Sequence, residues 1–542
     1  MKKVFGLIIV CILSFWSVKS LIGRGYFPMH DDTQVARVIA MGNALKYGQF
    51  PVRWVGDLGY GYGYPLYNFY GPLSYYFGGS LYALGVDSVT STKWMFGVGS
   101  VLAAVSMFFF LYPMLGLLSA VTGSIIFLYA PYHAVQIFIR GSVGEYWAIA
   151  FVPLVLLGIY KKRPIIGALG LAGTILSHTI LGFISTVILG FSIVIFMIRR
   201  RDWNMLNILL LGLGMSAFFW LPALMEMQYT SVSHMISSSS TSFSDHFICV
   251  SQLWNASWGY GGSAPGCVDG MSFKIGKFHS IIFALSLCIL FFNRLVMRLK
   301  KINTIVMVVA LYTAVMIFLM LPYSSFIWNF FPLTRFIQYP WRLLSFVIIG
   351  IGILSAYFVV SWKAPIVRLL TAGILITGTI IINAKLFVPQ YQYLRDTEQF
   401  ETKEELRFRI SKISDEYLPK EINRPKNFND IVHESISNTS SIQVKELSLK
   451  ETLMRYEIIA SKSQELEVNI AFFPGWKFFV NDHKVTPKIV SGIPSVTIPA
   501  GMSIIEARFT NTPVRTTANF ITVITFITMI IFMFIYGKKT KT

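Results

Sequence analysis

Two adjacent carboxylates, Asp31 and Asp32, stand just beyond the first apolar stretch of the chain, and this pair is the sequence feature best suited to chemistry. Paired acids at a membrane edge can take a proton from an attacking hydroxyl, or hold a divalent ion beside phosphate oxygens. A plainer role stays open. Val35, Val38, Ile39 and Leu45 follow at helical spacing as far as Gly48, so either acid could simply cap a helix lying along the membrane. Scarcity argues for more than capping. Only nine Asp or Glu precede residue 388, and eight of them (Asp31, Asp32, Asp57, Asp87, Glu145, Glu226, Asp245 and Asp269) fall in segments assigned below to the external face.

Other residues could share such a site. Arg140 and Glu145, in Arg140-Gly141-Ser142-Val143-Gly144-Glu145, are spaced for an ion pair. It would be weak at the surface and consequential if buried at the mouth of a bundle. His178, in Ser177-His178-Thr179, is either a polar turn residue or part of the lining of the same external cavity. Arg335 and Arg342 alternate with Phe336, Tyr339 and Trp341; such arginines can snorkel to water or grip a phosphate with a planar donor fork. The run Gly56-Asp57-Leu58-Gly59-Tyr60-Gly61-Tyr62-Gly63-Tyr64-Pro65 turns tightly while displaying aromatic faces and hydroxyls. Asp57 and Tyr64 there suit a sugar, although interfacial anchoring would equally explain the tyrosines.

The scaffold for these residues is set by composition. With 54% hydrophobic and 13% charged residues over 542 positions, the chain is too apolar for a soluble protein. A span needs about 20 apolar residues, which predicts twelve: 4–22, 94–112, 115–131, 146–160, 164–180, 181–198, 205–224, 279–294, 302–321, 343–361, 366–387 and 517–536. The first has no small-x-small cleavage site and reads as a retained anchor. The short Tyr- and Gly-rich stretch 72–86 would, if it crossed, put every later basic cluster outside, so it reads as an interfacial helix. Lys161-Lys162-Arg163, Arg199-Arg200-Arg201 and the basic run 294–301 then fall on the cytoplasmic side, with both termini. The net charge of +20 is thus a topology signal, and nucleic acid is not an expected partner.

This topology leaves external segments 23–93, 132–145, 225–278, 322–342 and 388–516. The spans hold no Asp, Glu or Arg away from their ends, which argues against an ion-coupled transporter. Residues 230–263, rich in Ser and Trp, read as a mobile loop. Cys249 and Cys267 share an external loop, where an oxidising compartment would let them pair; Cys11 and Cys288 lie in spans. Residues 389–441 are charged and read as a linker or small helices. From 442 the hydrophobic period drops to two, over 442–447, 452–460, 465–472, 476–480, 495–499 and 503–510, predicting an antiparallel β-sandwich. The domains are therefore a helical membrane module over 1–388, a linker and β-domain over 389–516, and a last span with a basic tail over 517–542. There is no Walker loop, no dinucleotide fingerprint and no zinc-type Cys/His spacing.

An acidic first loop after span one, a Tyr-Pro-rich interfacial helix and a second loop ending Arg-Gly-x-x-x-Glu resemble the GT-C superfamily of polytopic glycosyltransferases. Pro340-Trp341-Arg342, Ser177-His178-Thr179 and Phe473-Pro474-Gly475-Trp476 make the chain most similar to the bacterial YfhO-like group, which includes proteins labelled 6-pyruvoyl-tetrahydropterin synthase related. The resemblance implies a protein of the bacterial inner membrane that moves a sugar, with inversion, from a polyprenyl-phosphate carrier to a glycan, lipid or protein acceptor on the external face. It implies Asp32 as base or acceptor-orienting group, with Asp31 beside it, and Glu145 as the second-loop acid. Arg140, Arg335 and Arg342 would steady the departing phosphate. Asp31, Asp32 and Glu145 would be the candidate ligands of a divalent cation, Mg or Mn. Glu145 stands where many relatives carry an Asp-containing motif, which leaves metal use open. The same arginines would serve a flippase or assembly factor for lipid-linked glycans, and a scaffold with a partner-binding β-domain is the third alternative.

Overall fold

The computed structural model describes residues 1–200, 204–232, 243–296, 301–436 and 441–539, without the side chains of 195–200, 204, 294–296, 301–303, 332, 333, 335 and 535–539. All twelve expected apolar stretches are helical. Five described helices are long and apolar enough to cross a membrane: Ser88–Leu115, Val143–Lys161, Pro340–Val360, Pro365–Leu386 and Pro513–Phe534. Four more would qualify if each pair of helices bent at a short break counts as one span, as with Lys2–Leu13 and Phe15–Ile22. Pro164–Ser177, Thr179–Val194 and Lys277–Asn293 are apolar but shorter.

The chain divides into two units, neither continuous in sequence. The first comprises Met1–Asp31, Lys93–Leu213 and Ser238–Leu394. Its core is apolar and closely packed: a Cβ on Gly123 would lie 2.6 Å from the Gly352 carbonyl oxygen, so two helices meet here through bare backbone. Tyr129 donates to the Leu13 carbonyl at 2.6 Å, tying the broken first helix to the same layer. Cys249 and Cys267 are disulfide-bonded, closing a loop in which Val250–Trp254 is helical. Of the segment 230–263 expected to be a mobile loop, 233–242 lie outside the described residues.

The second unit comprises Asp32–Thr92, Gly214–Ser237 and Arg395–Thr542, so most of the segment 23–93 packs with the C-terminal region. The expected early helix is present as Gln34–Lys46, but ten of its thirteen residues are buried, which replaces the expected membrane-surface helix with an internal one. It crosses Leu73–Ala83 closely, with Gly42 and Gly79 in backbone contact. At eleven residues that second helix is too short to span.

Among the described residues the C-terminal region holds eight strands: β1 Ile442–Lys450, β2 Leu453–Ala460, β3 Gln464–Glu467, β4 Trp476–Val480, β5 His483–Val485, β6 Lys488–Val490, β7 Ile493–Ile498 and β8 Gly501–Phe509. They form two antiparallel sheets, β1-β2-β8-β4-β5 and β3-β7-β6. Period two explains the pattern: in β2, Met454, Tyr456, Ile458 and Ala460 are buried and the intervening residues less so. Asn481, Asp482 and Ser491 take positive φ at the hairpin turns, as the turn residues predicted.

Candidate functional site

In the first unit, Arg140, Glu145, His178 and Arg342 come together around one carboxylate. Gly141 has φ +67°, and a Cβ there would collide with the Met29 side chain, so only glycine lets the 139–142 turn press against residues 29–31. The His30 and Asp31 N–H groups donate to the Ile139 and Arg140 carbonyls at 2.9 and 3.0 Å. Helix Val143–Lys161 starts beyond this turn and carries Glu145 in its first turn. The Glu145 side chain is fully buried. Oε2 accepts from Arg140 Nη1 at 2.7 Å, and Oε1 from Tyr132 at 2.8 Å and from Gln136 and Ser345 at 3.3 Å. Arg342 Nε lies 3.9 Å from Oε2 and has no hydrogen-bond partner. His178 lies beside Gly144, its Nδ1 accepting from the Leu181 N–H at 3.2 Å.

The exposed-pair alternative for Arg140 and Glu145 is thus replaced by a buried hub. Arg140 also covers the Trp341 ring at 4.6 Å. Arg342 donates to the Ile337 carbonyl and Gln338 Oε1 at 2.8 Å each. Both guanidinium groups are turned inward, so the expected grip on a lipid phosphate does not suit them. The Arg335 side chain lies outside the described residues. A divalent cation does not fit Glu145 either: its oxygens already accept four donors, and two guanidinium groups stand alongside. Among the described residues no group of three or more His, Cys, Asp or Glu is placed to hold a metal ion.

Asp31 is exposed, and its charge reaches the Arg140 guanidinium. Asp32 belongs to the second unit, where its Oδ2 lies 3.4 Å from Arg409 Nη1. Neither acid caps the helix that follows; the N-cap is Thr33, without a side-chain cap bond. Arg409 sits on a π-helical turn, Glu404–Ile410, and is held by Glu405, which also takes Arg395 at 2.7 Å. The Asp32 side chain is 18% exposed and that of Arg409 43%. Burial pushes the Asp32 carboxyl above its ordinary range, against the opposing pull of Arg409. The result is a half-buried acid beside a cation that still reaches solvent.

Asp57 and Tyr64 lie in the same unit. Asp57 takes Arg407 at 2.8 Å. Tyr64 is buried, its oxygen accepting from the Tyr417 N–H at 3.2 Å, so it is a packing residue and not a displayed hydroxyl. Sequence reasoning missed three buried cations here. Arg37 donates to Ser414 at 2.9 Å and covers Tyr70. Arg53 holds Asn68 and Asn519 at 3.0 Å each. Arg515 pairs with Glu226 at 2.9 Å, and Glu226 also accepts from Asn68 and Thr512. The one signal was again acid scarcity, since Glu226 is among the eight acids in segments expected on the external face.

The long apolar helices mark an integral membrane protein. Residues 67–268 match the family model of the 6-pyruvoyl-tetrahydropterin synthase related domain, a membrane protein family, with which the GT-C and YfhO-like resemblance is consistent. No curated protein matches the chain. The matched stretch contains Arg140, Glu145 and His178 and ends before Arg342 and the strands.

Proposed function

We propose that this protein transfers a sugar from a polyprenyl-phosphate carrier to an envelope glycan, lipid or protein acceptor on the extracytoplasmic face of the bacterial inner membrane. The observation that carries the reading is Asp32: a first-loop carboxylate, largely withdrawn from water, facing a partly exposed guanidinium. Asp32 takes the proton of the acceptor hydroxyl as that oxygen bonds to the anomeric carbon. The bond from that carbon to the phosphate oxygen breaks on the opposite face, its electron pair leaving with the lipid phosphate, so configuration inverts. Arg409, beside Asp32 on the acceptor side, holds the carboxylate in place and favours its ionised form. Glu145 does no chemistry; through Arg140 it fixes the turn on which the backbone of Asp31 rests. The reading carries with it twelve crossings, cytoplasmic termini and a β-sandwich outside.

The test is release of label from polyprenyl-phosphate sugars incubated with membranes that contain the full chain. Label should leave the lipid for at least one of several sugars and only where the chain is present. Retention in every case contradicts transfer, and retention with tight lipid binding would point to a flippase or assembly factor.

A further inference from the structure

The second unit contains a polar cleft of about 550 Å³, lined by the Gly-Tyr segment of the first loop, the 403–436 stretch and the β1-β2 turn. That volume is ordinary for a small-molecule site. The cleft is built from backbone that glycine alone permits. Gly59, Gly61 and Gly63 all have positive φ; a Cβ on Gly61 would strike the Val432 carbonyl, and one on Gly63 the Trp54 ring. The segment is pinned from both sides: the Val432 N–H donates to the Tyr60 carbonyl at 3.0 Å and the Ala471 N–H to that of Tyr62 at 2.8 Å. Asp57 holds Arg407, which also donates to the Val432 carbonyl at 2.9 Å.

One lining group is out of place in a purely structural cleft. Glu451, in the β1-β2 turn, is only 7% exposed. Its Oε2 accepts the Gly56 N–H, and the residue lines the cleft. A carboxyl so largely buried is costly in its ionised form. Burial, with the negative charge of Asp57 nearby, pushes this carboxyl up to about 8, so at neutral pH it is a protonated group that both donates and accepts. Around it stand the Tyr62 ring, His433 and the Asp57–Arg407 pair. Acids and bases in the lining nearly balance, which disfavours a strongly charged ligand.

We infer that this cleft is a saccharide-binding site, in which Glu451, Asp57 and Arg407 read the hydroxyls of a neutral sugar and Tyr62 offers its face. It rests on the transferase reading only in taking the bound sugar to be part of the acceptor; binding itself needs no donor, so failure here and failure of transfer are separable.

The experiment is saturation-transfer NMR and titration of the full-length protein in nanodiscs with maltotetraose, chitotetraose and a galactose tetrasaccharide, and with polyglycerol phosphate as the anionic comparison. At least one neutral saccharide should bind. Tyr62→Ala and Glu451→Ala should each weaken it by about tenfold, the loss of one good contact, while Glu451→Gln, which keeps a neutral planar group, holds it within about threefold. Lys484→Ala, on an exposed hairpin outside the cleft, should change nothing. The inference is overturned if none of the saccharides binds, if only polyglycerol phosphate binds, or if either alanine variant leaves the affinity unchanged.

Discussion

Asp32→Asn should lower the release of sugar from its lipid carrier by about 10²–10⁴-fold, the range a positioned proton acceptor contributes. The amide preserves shape and a contact to Arg409 but cannot accept the proton of the attacking hydroxyl. Lipid retention should be unchanged, because the carboxylate faces the acceptor. The wild-type rate carries a matching pH signature. Burial raises the Asp32 carboxyl above its ordinary value of 3.8, and the working form is the ionised one. Activity is therefore complete above that raised value and falls as pH drops through it, at a higher pH than an exposed aspartate would show. Asp32→Asn should remove this acid limb. A variant that keeps the wild-type rate and limb would remove Asp32 from the chemistry.

Glu145→Ala should destabilise the chain by about 3–5 kcal/mol, the cost of leaving a buried ion without its partner. The substitution strands Arg140 and Arg342 together in a buried pocket and removes the acceptor of Tyr132. Glu145→Gln keeps the shape but still leaves two cations with no anion between them, and should fall between the two. Thermal unfolding of detergent-solubilised protein measures this. A melting temperature unchanged by Glu145→Ala would mean that the hub contributes no net stability and that the 139–142 turn is held by Gly141 and Met29 alone.

The apolar helices were legible because lipid demands long apolar runs, and those runs were found within a few residues. The larger strands were legible for a similar reason, a period of two with turn residues between. β5 and β6 were not, because three residues carry no period. The first loop misled in a specific way. Its composition suggested a membrane-surface helix, yet Gln34–Lys46 is internal, because Arg37 finds Ser414 and the Tyr70 ring, 377 and 33 residues distant, which no local pattern reveals. Arg515 and Glu226 pair across 289 positions for the same reason. The Arg140–Glu145 pair was visible because it is local. What the spacing could not tell was burial, which decides whether the pair steadies the fold or faces a ligand. Arg409 was missed because an arginine in a charged linker looks like any solvated residue until the acid it meets is known.

Transfer on the outer face requires that the loop bearing Asp32 lie outside the cytoplasm, and one labelling experiment asks this directly. In a chain with Cys11 and Cys288 replaced by alanine, single Tyr47→Cys and Lys162→Cys substitutions place a thiol on an exposed part of that loop and in the basic turn assigned to the inner side. A membrane-impermeant maleimide added to intact cells should label the Tyr47→Cys protein at once, and the Lys162→Cys protein only after permeabilisation. The opposite pattern would put the carboxylate on the wrong side of the membrane for the donor and acceptor named above.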